Sequence, residues 1–340
     1  MKNKISGYLY SYTHFIVEVV CFFYLTRVTK DALWVWLIPF IYDGLAFVPQ
    51  SLIGYYADKH KKKRIWLFGT FLLFLAMLQY GLNISYSLFT LILLCLGNAF
   101  LHVAGAEATL NSSNGKISPA AIFVSGGSFG VITGKLLAKT ALNPLILLIF
   151  IITIIPACYL SEVLMDKKSS SNKIDFIKKG LNPYLVIFIA FFVVVIRGYM
   201  GYGIPTSWNK TVFQTVLLFV TMGIGKALGG ILSDKFGMRK VAIISTLLAV
   251  PFLCFGDKIM IVSLIGVMMF SMTMAITLAI LVSVLKDNPG LAFGITTIGL
   301  FLGTAPIFFI KISQTLNIII ICVFSVLCSI ALGYILKEDK

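Results

Sequence analysis

Long apolar blocks alternate with short polar runs along the whole chain. The blocks lie at about 7–28, 32–57, 65–82, 86–110, 118–138 and 142–162, then at 183–204, 210–233, 240–256, 259–285, 290–311 and 316–336. Crossing the hydrocarbon core as a helix takes roughly 20 mostly apolar residues. The pattern therefore predicts an all-α membrane protein of twelve transmembrane helices with short connections. The longest polar stretch, 163–182, contains Lys167, Lys168, Ser169, Ser170, Ser171 and Asn172 and divides the chain almost in half. It predicts a six-helix bundle over 1–162, a solvated cytoplasmic linker over 163–182, and a second six-helix bundle over 183–340. The first block follows Met1-Lys2-Asn3-Lys4, contains His14 and Glu18, and lacks a small-residue cleavage site. It reads as the first helix, not as a signal peptide.

Composition agrees with this pattern. Mean hydropathy is +0.97. Charged residues make up 12% of the chain, against about 25% in an ordinary soluble domain. The net charge of +15 first suggests nucleic acid. The cations, however, stand in short runs beside apolar spans, where they act as topology signals. With the N-terminus placed in the cytoplasm, 19 Lys and Arg fall on the cytoplasmic side and 7 on the other, while Arg197 and Lys226 fall inside spans. Both termini are therefore expected to be cytoplasmic, in a plasma (inner) membrane. The six cysteines stand singly in apolar stretches with no CxxC pair and read as packing residues. No cofactor or metal cluster is expected. An enzyme is excluded by the lack of a nucleophile–base set or a Gly-rich phosphate loop.

Two loops repeat one another. Gly54-Tyr55-Tyr56-Ala57-Asp58-Lys59-His60-Lys61-Lys62-Lys63-Arg64 follows span two, and Gly230-Ile231-Leu232-Ser233-Asp234-Lys235-Phe236-Gly237-Met238-Arg239-Lys240 follows span eight. Gly, Asp, Lys and the trailing basic pair recur at a spacing of 176, and Pro119 and Phe123 are echoed by Pro289 and Phe293 at 170. Internal repeats of this kind mark transporters with a site at the midplane between halves. Gly54 and Gly230 let a neighbouring helix approach closely. Asp58 and Asp234 stand where a carboxylate caps an adjacent helix N-terminus, with Arg64 and Arg239 among the cations beside them.

This doubled Gly-x-x-x-Asp-Lys/Arg-x-Gly-x-Arg/Lys-Arg/Lys signature resembles the loop motif of the major facilitator superfamily, and the resemblance covers the whole chain. The first copy departs from it, with Lys61 in the place of a Gly that the second keeps as Gly237. The resemblance implies that Gly54, Asp58, Arg64, Gly230, Asp234 and Arg239 form a cytoplasmic gate. It also implies that spans one, four, seven and ten line a central cavity.

Ionisable groups in a bilayer are costly and are functional candidates by default. His14 and Glu18 stand four apart in span one, and Asn98 and His102 four apart in span four, so each pair shares a helix face. Glu18, His14, His102 and Asp43 are expected to bind or relay a proton, although a neutral imidazole or a bonded Asp43 also suits packing. Arg197 stands in span seven before Tyr199, Tyr202 and several glycines. It is expected either to bind an anionic substrate group or to neutralise Glu18, with Asn98, Tyr199 and Tyr202 also at the substrate. Glu107 and Lys226 are expected near the cytoplasmic gate. Small residues from Gly126 to Gly134 predict tight packing of span five. The Gly-Pro pair that antiporters of the superfamily often carry in this span is absent. Gly97-Asn98-Ala99-Phe100-Leu101-His102, in turn, resembles the Phe-x-His pattern of the fosmidomycin-resistance branch, which exports drugs.

The reading is a proton-coupled carrier of a small organic solute by alternating access, with export favoured. Its expected partners are protons, a small-molecule substrate and the lipid bilayer, with no nucleic acid and a monomeric state. The alternative is an uncoupled facilitator or lipid-handling flippase of the same fold, distinguished by whether a pH gradient drives accumulation.

Overall fold

The computed structural model describes residues 2–30, 36–60, 63–84, 88–165 and 171–338. Lys61, Lys62, Lys167, Lys168, Ser169, Ser170 and Lys340, together with the side chains of Lys2, Lys4 and Lys30, lie outside the described residues. Helices α1 (Lys2–Lys30), α2 (Leu37–Phe47), α3 (Gln50–Lys59), α4 (Ile65–Gly81), α5 (Leu88–Asn111), α6 (Ser118–Ala138) and α7 (Ile146–Leu164) build the first bundle. Helices α8 (Pro183–Gly203), α9 (Val212–Phe236), α10 (Met238–Phe255), α11 (Met260–Ser271), α12 (Thr273–Val284), α13 (Pro289–Thr304) and α14 (Gln314–Ile335) build the second. Among the described residues, eleven helical spans are long and apolar enough to cross a membrane, and the shorter apolar Ile65–Gly81 makes the twelfth.

Spans two and ten are each made of two helices. Pro49 separates α2 from α3 because it brings no N–H to the helical ladder. Near Met272 the Thr273 hydroxyl donates to Phe270 O at 2.9 Å and competes for a ladder carbonyl. The outer faces are apolar, with Ile149, Phe150, Phe188 and Ile330 exposed, whereas Thr13, Gln50, Thr109 and Thr277 are buried. This reverses the soluble arrangement and suits a hydrocarbon solvent.

A close seam joins α1 to α6. A methyl group on Gly126, Gly130 or Gly134 would stand 2.3, 2.4 or 2.5 Å from the carbonyl oxygens of Ser11, Phe15 and Val19 respectively. Two rows of period four thus meet backbone to backbone, as small-residue helix pairs do.

The start of α1, the end of α14 and the motif residues Asp58 and Asp234 lie on one side, termed here the terminal side. The linker differs from the solvated tether expected of it. Residues 171–178 dock on the second bundle: Ser171 Oγ donates to Lys286 O at 2.8 Å, and Lys337 N–H donates to Phe176 O at 2.9 Å. Apolar residues set among its lysines explain the difference, since Ile174 is fully buried.

On the far side Asp257 ties three connections together. Its carboxylate accepts from Ser207 N–H at 2.9 Å and from Gln314 Nε2 at 2.6 Å, while its carbonyl accepts from Trp208 N–H at 3.2 Å. Burial works against the charge, but the bonds from Ser207 and Gln314 and the nearby Lys258 hold the carboxyl below its ordinary value. A depressed carboxyl contributes stability above its unfolded pKa of about 4 and loses it as the pH falls through the folded value. Asp257→Ala is expected to cost about 2 kcal/mol near neutral pH. In thermal unfolding the gap from the native protein should close as the medium is acidified below about pH 4.

Candidate functional site

Near the middle of α1 and α5, His14, Glu18 and His102 form one buried cluster. The i, i+4 spacing puts His14 and Glu18 on the same side of α1, and Gly127 makes room for the first imidazole, since a methyl group there would stand 2.3 Å from His14 Nε2. His14 Nε2 and His102 Nε2 are 2.8 Å apart. Glu18 Oε1 lies 3.3 Å from His102 Nε2 and 3.7 Å from His14 Nε2. His14 Nδ1 stands 2.8 Å from Phe123 O, and His102 Nδ1 stands 3.0 Å from Asn98 O.

These contacts assign the protons. A carbonyl oxygen only accepts, so both Nδ1 atoms carry hydrogen. The two Nε2 atoms then face one another with room for one proton between them. Without it, two lone pairs and a carboxylate would oppose one another in a dry site. With it, one imidazole and one imidazolium share a hydrogen bond beside the Glu18 carboxylate, and the cluster is neutral. The three ligand atoms lie within 4.8 Å of one another, a donor set that also suits a transition metal. Donors around tetrahedral zinc stand about 3.3 Å apart. The Nε2 separation of 2.8 Å is shorter and has the length of a hydrogen bond, so the spacing suits a proton.

Asn98 is fully buried and belongs to this cluster. Its Nδ2 donates to Glu18 Oε1 at 3.3 Å, to Tyr42 OH at 2.9 Å and to Cys21 Sγ at 3.5 Å. Glu18 therefore has its partners within the first bundle, and the structure does not bring Arg197 to it. Arg197 is 8% exposed, and its nearest aromatic is the Phe270 ring, 5.4 Å from the guanidinium carbon. Its Nε is buried without a hydrogen-bond partner. Tyr199 OH donates to Asn317 Oδ1 at 2.7 Å. Tyr202 is 60% exposed and lies within electrostatic reach of Asp43 and Glu18. Lys226, expected near the gate, lies within electrostatic reach of both Arg197 and Glu18.

On the terminal side, Asp58 accepts from Gly290 N–H at 2.9 Å and Leu291 N–H at 2.8 Å, capping α13. Asp234 accepts from Ile117 N–H at 2.9 Å and Ser118 N–H at 3.0 Å, capping α6. The repeated Pro119 and Pro289 sit in the first turns of these two helices, where a missing N–H costs nothing. Gly54 meets the backbone of Gly290, and a methyl group on it would lie 2.2 Å from Gly290 O. A methyl group on Gly230 would lie 2.3 Å from Ala121 Cβ. Gly237 has φ 97°, the left-handed turn that ends α9. Arg64 Nε donates to Glu162 Oε2 at 2.9 Å and Arg239 to Glu338 at 3.1 Å, both at the exposed margin. Glu107 is half-buried, within reach of Tyr10.

No protein-family model matches this sequence, and no curated protein does. Solved structures do match it. The Escherichia coli fucose:proton symporter FucP aligns over 94% of this chain and 97% of its own, with a TM-score of 0.58 and 16% identity. The human organic anion transporter MFSD10 (TETRAN) aligns over 97% and 99%, with a TM-score of 0.62 and 11% identity. The chain has the major facilitator fold.

In this major facilitator fold, sequence reasoning found the three ionisable groups of the central cluster but missed what surrounds them. Tyr42 and Cys21 look like packing residues in an apolar run, and only the chain's folding shows them against Asn98. Phe123 and Phe293 are repeat partners whose rings stand 6.2 Å apart, and both rings stand near His102, at 6.4 and 6.5 Å. Their echo at a spacing of 170 was the available signal.

Proposed function

We propose that this protein is a secondary transporter: a proton-coupled carrier of a small organic solute that works by rocking of the two halves, 1–162 and 183–340. One observation carries the reading. Two imidazoles on different helices stand at a separation suited to one shared proton, beside a carboxylate that neutralises it. Losing the proton leaves the Glu18 carboxylate without its counter-charge, so the charge of the first half changes with protonation. Rocking changes which groups of the second half face that cluster, and coupling requires a site whose affinity differs between conformations. Cys21, Tyr42, Asp43, Tyr202 and Lys226 are the other titratable groups acting on Glu18 or feeling it. One structural neighbour, a fucose:proton symporter, agrees with this chemistry.

The Lys and Arg bias favours a cytoplasmic terminal side. The gate contacts would then close the carrier on its cytoplasmic side in the conformation described. The likeness of Phe100-x-His102 to an exporting branch favours export. A thermal-shift screen of the purified carrier against metabolites and drugs at two pH values tests the proposal. A ligand whose stabilisation changes with pH is expected. After reconstitution, a pH gradient should drive its accumulation and a protonophore should collapse it. Equal fluxes with and without the gradient would give the reading to an uncoupled facilitator.

A further inference from the structure

Among the described residues, two cations in the second half form no ion pair. Arg197 is buried on α8, and among the described residues no acceptor or carboxylate reaches it. Lys226 on α9 likewise makes no hydrogen bond or ion pair among them; Arg197 acts on it as a like charge, and the Glu18 carboxylate acts on it more weakly. A desolvated cation without a partner costs several kcal/mol, and two that repel each other cost more. A group aimed at structure alone would be paired, as Arg64 is with Glu162 and Arg239 with Glu338.

The nearby acids do not supply the missing charge. Glu18 is spent on the His14–His102 proton. Asp43 makes no ion pair among the described residues, and it lies on α2 within electrostatic reach of Tyr202. With the cluster neutral, the unpaired groups are two cations and one carboxylate, an excess of one positive charge. Arginine offers a planar fork of donors and lysine a point charge, a pairing that suits a carboxylate, sulfonate or phosphonate.

We infer that the carrier holds the anionic group of a small organic monoanion between Arg197 and Lys226, with the rest of the molecule toward Tyr202 and Asp43. This rests on the transporter reading and names its substrate class. It also makes Lys226 a substrate residue instead of a gate residue.

The test measures thermal unfolding of the purified full-length protein at one fixed pH. Benzoate and benzenesulfonate are the probes, with benzamide and benzylamine as neutral and cationic counterparts. Benzoate and benzenesulfonate should raise Tm progressively with concentration, and the other two should leave it unchanged. Arg197→Gln and Lys226→Gln should each abolish the benzoate shift. Arg197→Gln should also raise the Tm of the ligand-free protein, because it removes an unpaired buried charge. A merely structural arginine would give the opposite sign. The inference is overturned if neither anion shifts Tm, if benzamide matches benzoate, if the shift survives either substitution, or if Arg197→Gln lowers the ligand-free Tm. Failure of the proton reading would look different. The benzoate shift would remain in the native protein while pH-driven uptake survived in Glu18→Gln.

Discussion

Glu18→Gln carrier in proteoliposomes loses pH-driven accumulation of its solute while still exchanging it down a concentration gradient. The expectation follows from the proton arithmetic at the cluster. The shared proton between His14 and His102 carries a positive charge in a dry site, and the Glu18 carboxylate at 3.3 Å is what balances it. A glutamine keeps the volume and an acceptor for Asn98 but removes the balancing charge. An imidazolium left unneutralised there is disfavoured by several kcal/mol, so the pair gives up its proton throughout the working range. Coupling then disappears because the site no longer changes protonation between its two conformations. His102→Asn should give the same phenotype, since one imidazole cannot share. Uphill accumulation in Glu18→Gln at the native rate would place the coupling site elsewhere, with Asp43 the next group to test.

Asp58→Ala is expected to open the terminal side. The native carboxylate is buried and receives two hydrogen bonds from the N-terminus of α13. Bonds to a charged group contribute roughly 1.5–3 kcal/mol each. Losing the pair therefore shifts the closed–open equilibrium by about 3 kcal/mol or more, a factor of at least about 100. Gly54→Ala acts in the same direction by steric force, because its methyl group meets the Gly290 backbone, which has no side chain to move aside. A cysteine placed at Ala121, fully buried at the gate, reports the change in a background free of native cysteines. Membrane-impermeant maleimide applied from the terminal side should label it slowly in the native sequence and at least ten times faster in Asp58→Ala, a conservative bound on that shift. Equal labelling rates would show that the cap does not hold the gate.

Much of this was legible in the sequence, for physical reasons that also mark where legibility ends. Span five of the blocks shows it well: an apolar run at 118–138 becomes Ser118–Ala138, because hydrocarbon thickness fixes helix length. The loop motif pointed to helix capping because Asp has few other uses beside a glycine at a helix end. What sequence cannot supply is which helix receives each cap. Asp58 and Gly290 are 232 residues apart, and nothing local in either names the other. The same holds for His14 and His102. Their spacings show which face each occupies, and only packing brings the two Nε2 atoms together. Lys226 shows how depth along a span stays open in sequence: eight residues of helix separate it from Asp234, about 12 Å at 1.5 Å per residue. The linker was read from its lysines and serines, and Ile174 and Phe176 between them were too few to register as an anchoring patch.

The two gate caps have a consequence that reaches past the gate. A carboxylate of the first half closes on a helix of the second, and the equivalent carboxylate of the second closes on the equivalent helix of the first. That is an isologous contact, the kind by which identical subunits associate around a twofold axis. The chain grips itself as a homodimer would. Its latch therefore has two matching strokes, and damage to one repeat leaves a half-strength closure instead of none.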